Sequence, residues 1–126
     1  MLKDRDSSAI IAVSDIDRAR TFYRDVLGLT PEDGGMDEVQ SFRTGATRLT
    51  IYSSEHAGTN KANAVTFAMQ GDLVDTVQAL KAQGVRFEHY DLPGMVLNGE
   101  VHESGPIKLA WFADPDGNLI HLVEGM

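Results

Sequence analysis

Apolar and polar positions along the chain change their spacing in a repeating order. Residues 8–13, Ser-Ala-Ile-Ile-Ala-Val, are a short apolar run that predicts a buried strand. Ser14-Asp15-Ile16-Asp17 then reads as a helix start, with Ser14 as the cap and acidic residues suited to the positive end of the helix. Ile16, Ala19, Phe22, Tyr23, Val26 and Leu27 recur at helical spacing and give one apolar face, which Gly28 stops. Three short strands are predicted next, at residues 29–32, 39–43 and 48–53, the first closed by an Asp33-Gly34-Gly35 turn.

Residues 54–62 are polar and unpatterned and predict a linker. The order then recurs. A strand is predicted at 64–69, and a helix capped by Asp72 carries Leu73, Val77 and Leu80 on one face until Gly84. Strands at 85–90 and near 100–103 flank a loop with Pro93 and Gly94. Residues 108–113 and 119–124 make a hairpin across Asp114-Pro115-Asp116-Gly117. Gly28 and Gly84 stand at the same separation as Ser8 and Ala64, so one element order is used twice without residue-level identity. The expectation is an α+β fold of two tandem βαβββ modules in one domain over 1–126. Module one covers about 7–53, the linker 54–62 and module two about 63–125.

Composition narrows the function. With 19 acidic against 11 basic residues the net charge is −8, and no basic run is present to displace counterions from nucleic acid or to meet an anionic membrane. The absence of cysteine excludes disulfides, thiolate metal sites and cysteine nucleophiles. The charged first residues lack the apolar core of a secretion signal, and no apolar run is long enough to span a bilayer. A cytoplasmic protein is expected, with neither nucleic acid nor membrane as partner.

Two stretches carry a resemblance. Val13-Ser14-Asp15-Ile16-Asp17-Arg18-Ala19-Arg20-Thr21-Phe22-Tyr23-Arg24-Asp25-Val26-Leu27-Gly28-Leu29 resembles the first strand–helix of the vicinal oxygen chelate superfamily. Trp111-Phe112-Ala113-Asp114-Pro115-Asp116-Gly117-Asn118-Leu119-Ile120-His121-Leu122 resembles its closing hairpin. That superfamily includes glyoxalase I, extradiol dioxygenases, and fosfomycin- and bleomycin-resistance proteins. The resemblance implies curved sheets around a pocket, and in the enzymes a divalent metal held by His, Glu or Gln from the first and last strands of each half. Carried over one at a time, those positions fall at Ser8, Thr50, Ala64 and His121. Only His121 is a good ligand, so no metal or other cofactor is expected.

Strand alternation marks two faces. Ala9, Ile11, Val13, Leu49, Ile51, Val65, Phe67, Met69, Ile120 and Leu122 are apolar and predict packing against the helices. Ser8, Ile10, Ala12, Arg48, Thr50, Tyr52, Ala64, Thr66, Ala68, His121 and Val123 are smaller or polar and predict a pocket lining. The ligand-binding candidates are Ser8, Arg48, Thr50, Tyr52, Thr66, Tyr90, His102, Trp111 and His121, with His121 the best placed for acid–base work. Each has a plainer alternative. His121 fills space, Tyr52 and Trp111 pack in the core, Arg43 and Arg48 end a hairpin in solvent, and His89, Tyr90 and His102 lie on the surface. The paired aspartates at 114 and 116 read as a turn.

The leading functional expectation is a metal-independent binder of a small, partly apolar organic molecule, as a homodimer. The rival is a metal-dependent lyase, isomerase or dioxygenase with a displaced site using His121, His102 and Glu100 or Glu103. A third reading is a structural domain whose pocket is filled by Tyr52, Trp111 and His121.

Overall fold

The structure, a computed structural model, describes residues 1–33 and 36–126; Gly34 and Gly35, where the first hairpin turn is predicted, lie outside the described residues. The chain divides into two compact units, 1–58 and 59–126, with the boundary inside the predicted linker.

The first unit runs β1 (Ala9–Val13), α1 (Ile16–Thr21), β2 (Thr30–Pro31), β3 (Val39–Thr44) and β4 (Thr47–Ser53). Its sheet has the order β1-β4-β3-β2, with β1 parallel to β4 and the other pairs antiparallel. The helix cap is Asp15, one residue later than expected: its backbone is extended and its carboxylate accepts from the Arg18 N–H at 3.0 Å. The Ser14 hydroxyl instead accepts from the Arg18 guanidinium at 3.1 Å. Past Thr21 the helix widens into a π-helical turn over Phe22–Val26. Gly28, at φ +73°, lets the Leu29 N–H reach back to the Tyr23 carbonyl at 3.0 Å, a closure that suits a residue without Cβ. Helix α1 packs on β3 and β4. Between them Ile11, Val13, Tyr23, Phe42, Leu49 and Ile51 are buried. Each such side chain contributes roughly 1.5–3 kcal/mol by leaving water.

The second unit runs β5 (Asn63–Ala68), α2 (Leu73–Ala82), β6 (Phe87–Glu88), β7 (Val96–Asn98), β8 (Val101–Ser104), β9 (Ile107–Ala113) and β10 (Leu119–Glu124). Its sheet has the order β5-β10-β9-β8-β7, and β6 also pairs with β9. The path β5-β10-β9-β6 repeats β1-β4-β3-β2 of the first unit. The fold is thus α+β with two tandem βαβββ modules, and the second carries an inserted β7–β8 hairpin. The strand expected at 85–90 shrinks to two residues, and the expected loop at 91–99 contains β7. Leu73, Val77 and Leu80 of α2 are buried, as are Ala110, Phe112, Ile120 and Leu122 of the sheet. Asp72 stands at the helix start, but its carboxylate serves the Gln70 N–H at 3.2 Å. After β10, Gly125 adopts φ +82°, and a Cβ there would collide with the Pro106 carbonyl.

In both units the alternation sorts the faces as expected. On the helix side Ile11, Val13, Leu49, Ile51, Ile120 and Leu122 are nearly inaccessible. On the other side Ile10 is 64% exposed and Tyr52 36%. Arg48, Thr66 and Ala68 are exposed there too, and Thr50, His121 and Val123 are half-buried. Among the described residues no helix is long and apolar enough to cross a membrane.

Candidate functional site

Strand register places His121 of β10 between Trp111 of β9 and Thr66 of β5. The imidazole lies flat on the indole, with centroids 4.6 Å apart and planes 10° from parallel. Its Nδ1 is 3.2 Å from the Thr66 hydroxyl. Trp111 is held in turn, because its indole N–H donates to the Asn63 side-chain oxygen at 3.1 Å. The ring of His121 is therefore fixed on one face and at one nitrogen. Its other nitrogen, Nε2, is buried and has no hydrogen-bond partner among the described residues. Burial pushes the pKa of His121 below the ordinary imidazole value, so the ring is neutral near pH 7. An unpaired buried polar atom costs about 1–3 kcal/mol, and such an atom in a folded protein calls for a cause.

Trp111 also touches Tyr90 and His102, each edge-to-face at 5.1 Å. His102 is 1% exposed. Its Nε2 accepts from the Tyr90 backbone N–H at 3.0 Å, which places the proton on Nδ1, 3.3 Å from the Leu109 carbonyl. Both nitrogens are thus committed to backbone. His102 ties residue 90 to β9, and Trp111 stands between it and His121.

This arrangement does not assemble the displaced metal set. His102 has no lone pair to offer. Glu100 is engaged by His89 Nε2 at 2.7 Å and Lys81 Nζ at 3.6 Å. Glu103 follows His102 in β8 and points to the opposite face of the sheet. The family ligand positions do not fit a divalent ion either. The Thr50 hydroxyl is spent on Ser41 at 2.8 Å, Ser8 offers a neutral hydroxyl, and Ala64 offers a methyl group beside the register shift at Leu119/Ile120. Among the described residues no three His, Asp or Glu side chains converge as a metal site.

The other candidates fall as follows. Arg48 donates through Nε to Glu32 at 2.6 Å, and Arg43 stands 3.9 Å from the same carboxylate. The hydrogen bond from Arg48 holds the Glu32 carboxyl below its usual range. Arg48 is therefore tied to Glu32 near the start of β4. Thr50 and Tyr52 lie in the first unit and Thr66, Trp111 and His121 in the second, where they form one contiguous cluster. Asn63, the indole's partner, was not foreseen; the signal was that a buried Trp N–H needs an acceptor.

Beyond Trp111 the inserted hairpin shapes a cleft of about 340 Å³. His89 and Asp91 supply its polar wall, Leu92, Met95 and Leu97 its apolar wall, and Tyr90 and His102 also line it.

The family model of the Glyoxalase/Bleomycin resistance protein/Dioxygenase superfamily matches residues 7–122, and the chain belongs to that superfamily. Among solved structures it resembles the genomically encoded fosfomycin resistance protein FosX of Listeria monocytogenes. The TM-score is 0.74 at 16% identity, covering 100% of this chain and 96% of that one. A lactoylglutathione lyase from Agrobacterium tumefaciens matches at TM-score 0.70 and 18% identity, covering 97% and 94%. A protein from the mobile metagenome of V. Pseudocholerae matches at TM-score 0.68 and 24% identity, covering 100% and 98%. At these identities the likeness is one of fold. No curated protein matches the chain.

Proposed function

We propose that this chain is a binder of small, partly apolar organic molecules that works without a metal ion, as a cytoplasmic homodimer. The observation that carries the proposal is the buried, unpartnered Nε2 of His121 on a ring otherwise fixed by Trp111 and Thr66. In the resemblance drawn from the sequence, His121 occupies a ligand position, while Ser8, Thr50 and Ala64 lack the donors to complete a metal site with it. A neutral imidazole suits a hydrogen bond to an uncharged polar group better than an ion pair. Nε2 is out of reach of solvent, so a ligand group bonds it only when the groups packed over it shift, and the bond then regains the free energy the unpaired state costs. Exposed Thr66 and Ala68 leave room beside the ring for the ligand's body.

One structural relative, FosX of Listeria monocytogenes, is described in complex with Mn(II) and sulfate, at 16% identity and TM-score 0.72. The deciding experiment therefore measures metal and ligand together. Untagged protein is assayed for Mn, Fe, Ni and Zn, and small heteroaromatic fragments are screened by fluorescence of the single tryptophan, Trp111. We expect substoichiometric metal, fragment binding that survives a chelator, and weaker binding by His121→Gln. Near-stoichiometric metal whose removal abolishes fragment binding would overturn the proposal in favour of a metal-dependent lyase, isomerase or dioxygenase.

A further inference from the structure

The cleft under the inserted hairpin contains a charge arrangement that the His121 cluster does not use. Glu100 sits beneath His89 with its side chain only 18% exposed, and its Oε2 is 2.7 Å from His89 Nε2. The His89 hydrogen bond, with help from Lys81, holds the Glu100 carboxyl below its usual range. An ionised carboxylate only accepts, so the shared proton is on Nε2. In the neutral ring the lone pair is then on Nδ1. Among the described residues Nδ1 of His89 makes no hydrogen bond. A carboxylate that fixes one ring nitrogen so that the other accepts is a standard way to orient a binding imidazole.

The surroundings select the sign of what meets that lone pair. Asp91 lines the same cleft. Glu88 acts on the neighbouring Tyr90, whose phenol is pushed up by burial first and by this carboxylate second. The one nearby cation among these groups, Lys81, is directed at Glu100. An anion entering here would meet carboxylates without a free positive partner. Leu92, Met95 and Leu97 line the same cleft, and Tyr90 is 39% exposed. Aromatic faces attract cations, and a volume of about 340 Å³ is at the small end of ligand pockets.

We propose that this cleft is a second binding site, specific for a small organic cation in which a primary or secondary ammonium group is joined to an apolar or aromatic body. The ammonium N–H groups donate to His89 Nδ1 and the Asp91 carboxylate. The body rests on Leu92, Met95 and Leu97. Glu100 acts as a positioning residue that keeps the His89 lone pair turned inward. The site does not depend on the His121 proposal, since it uses neither His121 nor Thr66.

The test is a ¹H–¹⁵N NMR titration of the full chain at about pH 8, above the ordinary imidazole range. Three probes that share a phenethyl body are compared: phenethylamine, 2-phenylethanol and 3-phenylpropionate. Phenethylamine is expected to shift the amides of residues 89–97 saturably and to bind at least about tenfold more tightly than the alcohol. The carboxylate probe is expected to leave those amides in place. Asp91→Asn and His89→Leu should each weaken the amine about tenfold, with the amide spectrum of each variant reporting that it is folded. Glu100→Gln should weaken the amine and remove the downfield ring signal of the His89–carboxylate bond. His121→Gln should not alter amine binding, which separates failure here from failure of the first proposal. Equal affinity for alcohol and amine, tighter binding of the carboxylate, or shifts confined to residues around His121 would each overturn the proposal, as would the absence of any saturable shift.

Discussion

Glu124, at the end of β10, accepts a hydrogen bond from the Leu73 backbone N–H at 3.0 Å, so the last strand caps the second helix. Two elements distant in sequence are thereby joined at a group that would otherwise be an unpaired helix-terminal donor. Glu124→Ala is expected to cost roughly 1–2 kcal/mol of stability, as loss of a helix cap does. Glu124→Gln keeps the acceptor oxygen and should recover most of it. Urea unfolding of the two variants checks this; equal losses would show that the charge near Lys108, 3.9 Å away, matters more than the cap.

His121 makes stability depend on pH with a definite sign. Burial lowers its folded pKa below the ordinary value of 6.5. In the window below that value the unfolded chain binds more protons than the folded one, so stability rises with pH there. The contribution is fully present above about pH 6.5 and is lost as pH falls through the folded value. The denaturation midpoint of the wild type measured relative to that of His121→Gln should fall on acidification across this window. A difference between them that does not vary with pH would contradict the assignment.

His102 was a ligand candidate and part of the rival metal set, and the structure makes it a structural staple. His102→Ala removes a buried ring, strands the Tyr90 N–H and takes one donor from the Leu109 carbonyl. The expected loss is about 2–4 kcal/mol. Because Tyr90 and His102 both contact Trp111, the same variant should shift the indole emission. Unchanged stability would mean that the loop after β6 is held by other contacts.

Much of the architecture was legible because sheets covered on one side impose a period of two. Ile11, Val13, Leu49 and Ile51 fell on the helix side and Ile10, Thr50 and Tyr52 on the open side. The inserted hairpin was harder to read. Val96–Asn98 is short and exposed along its length, so no alternation separates it from loop. The cap moved from Ser14 to Asp15 because both residue types cap well and only the backbone chooses between them. Asp114 could be read as a turn residue, and its carboxylate does gather the Asp116 and Asn118 N–H groups at 2.9 Å. At the candidate site, His121, Trp111 and Thr66 followed from strand position. The roles of His102 and His89 did not, because they rest on contacts that span 12 and 11 residues across a loop.

Gly125 follows β10 directly and is exposed, a setting in which variation is usually harmless. Yet the Pro106 carbonyl occupies the space any side chain would need there. A designer who replaces this glycine would in effect be editing the bend that feeds β9, and with it the seat of Trp111. Exposure and tolerance thus part company at Gly125: the position is open to water, yet any side chain there has to push aside the backbone that leads into β9.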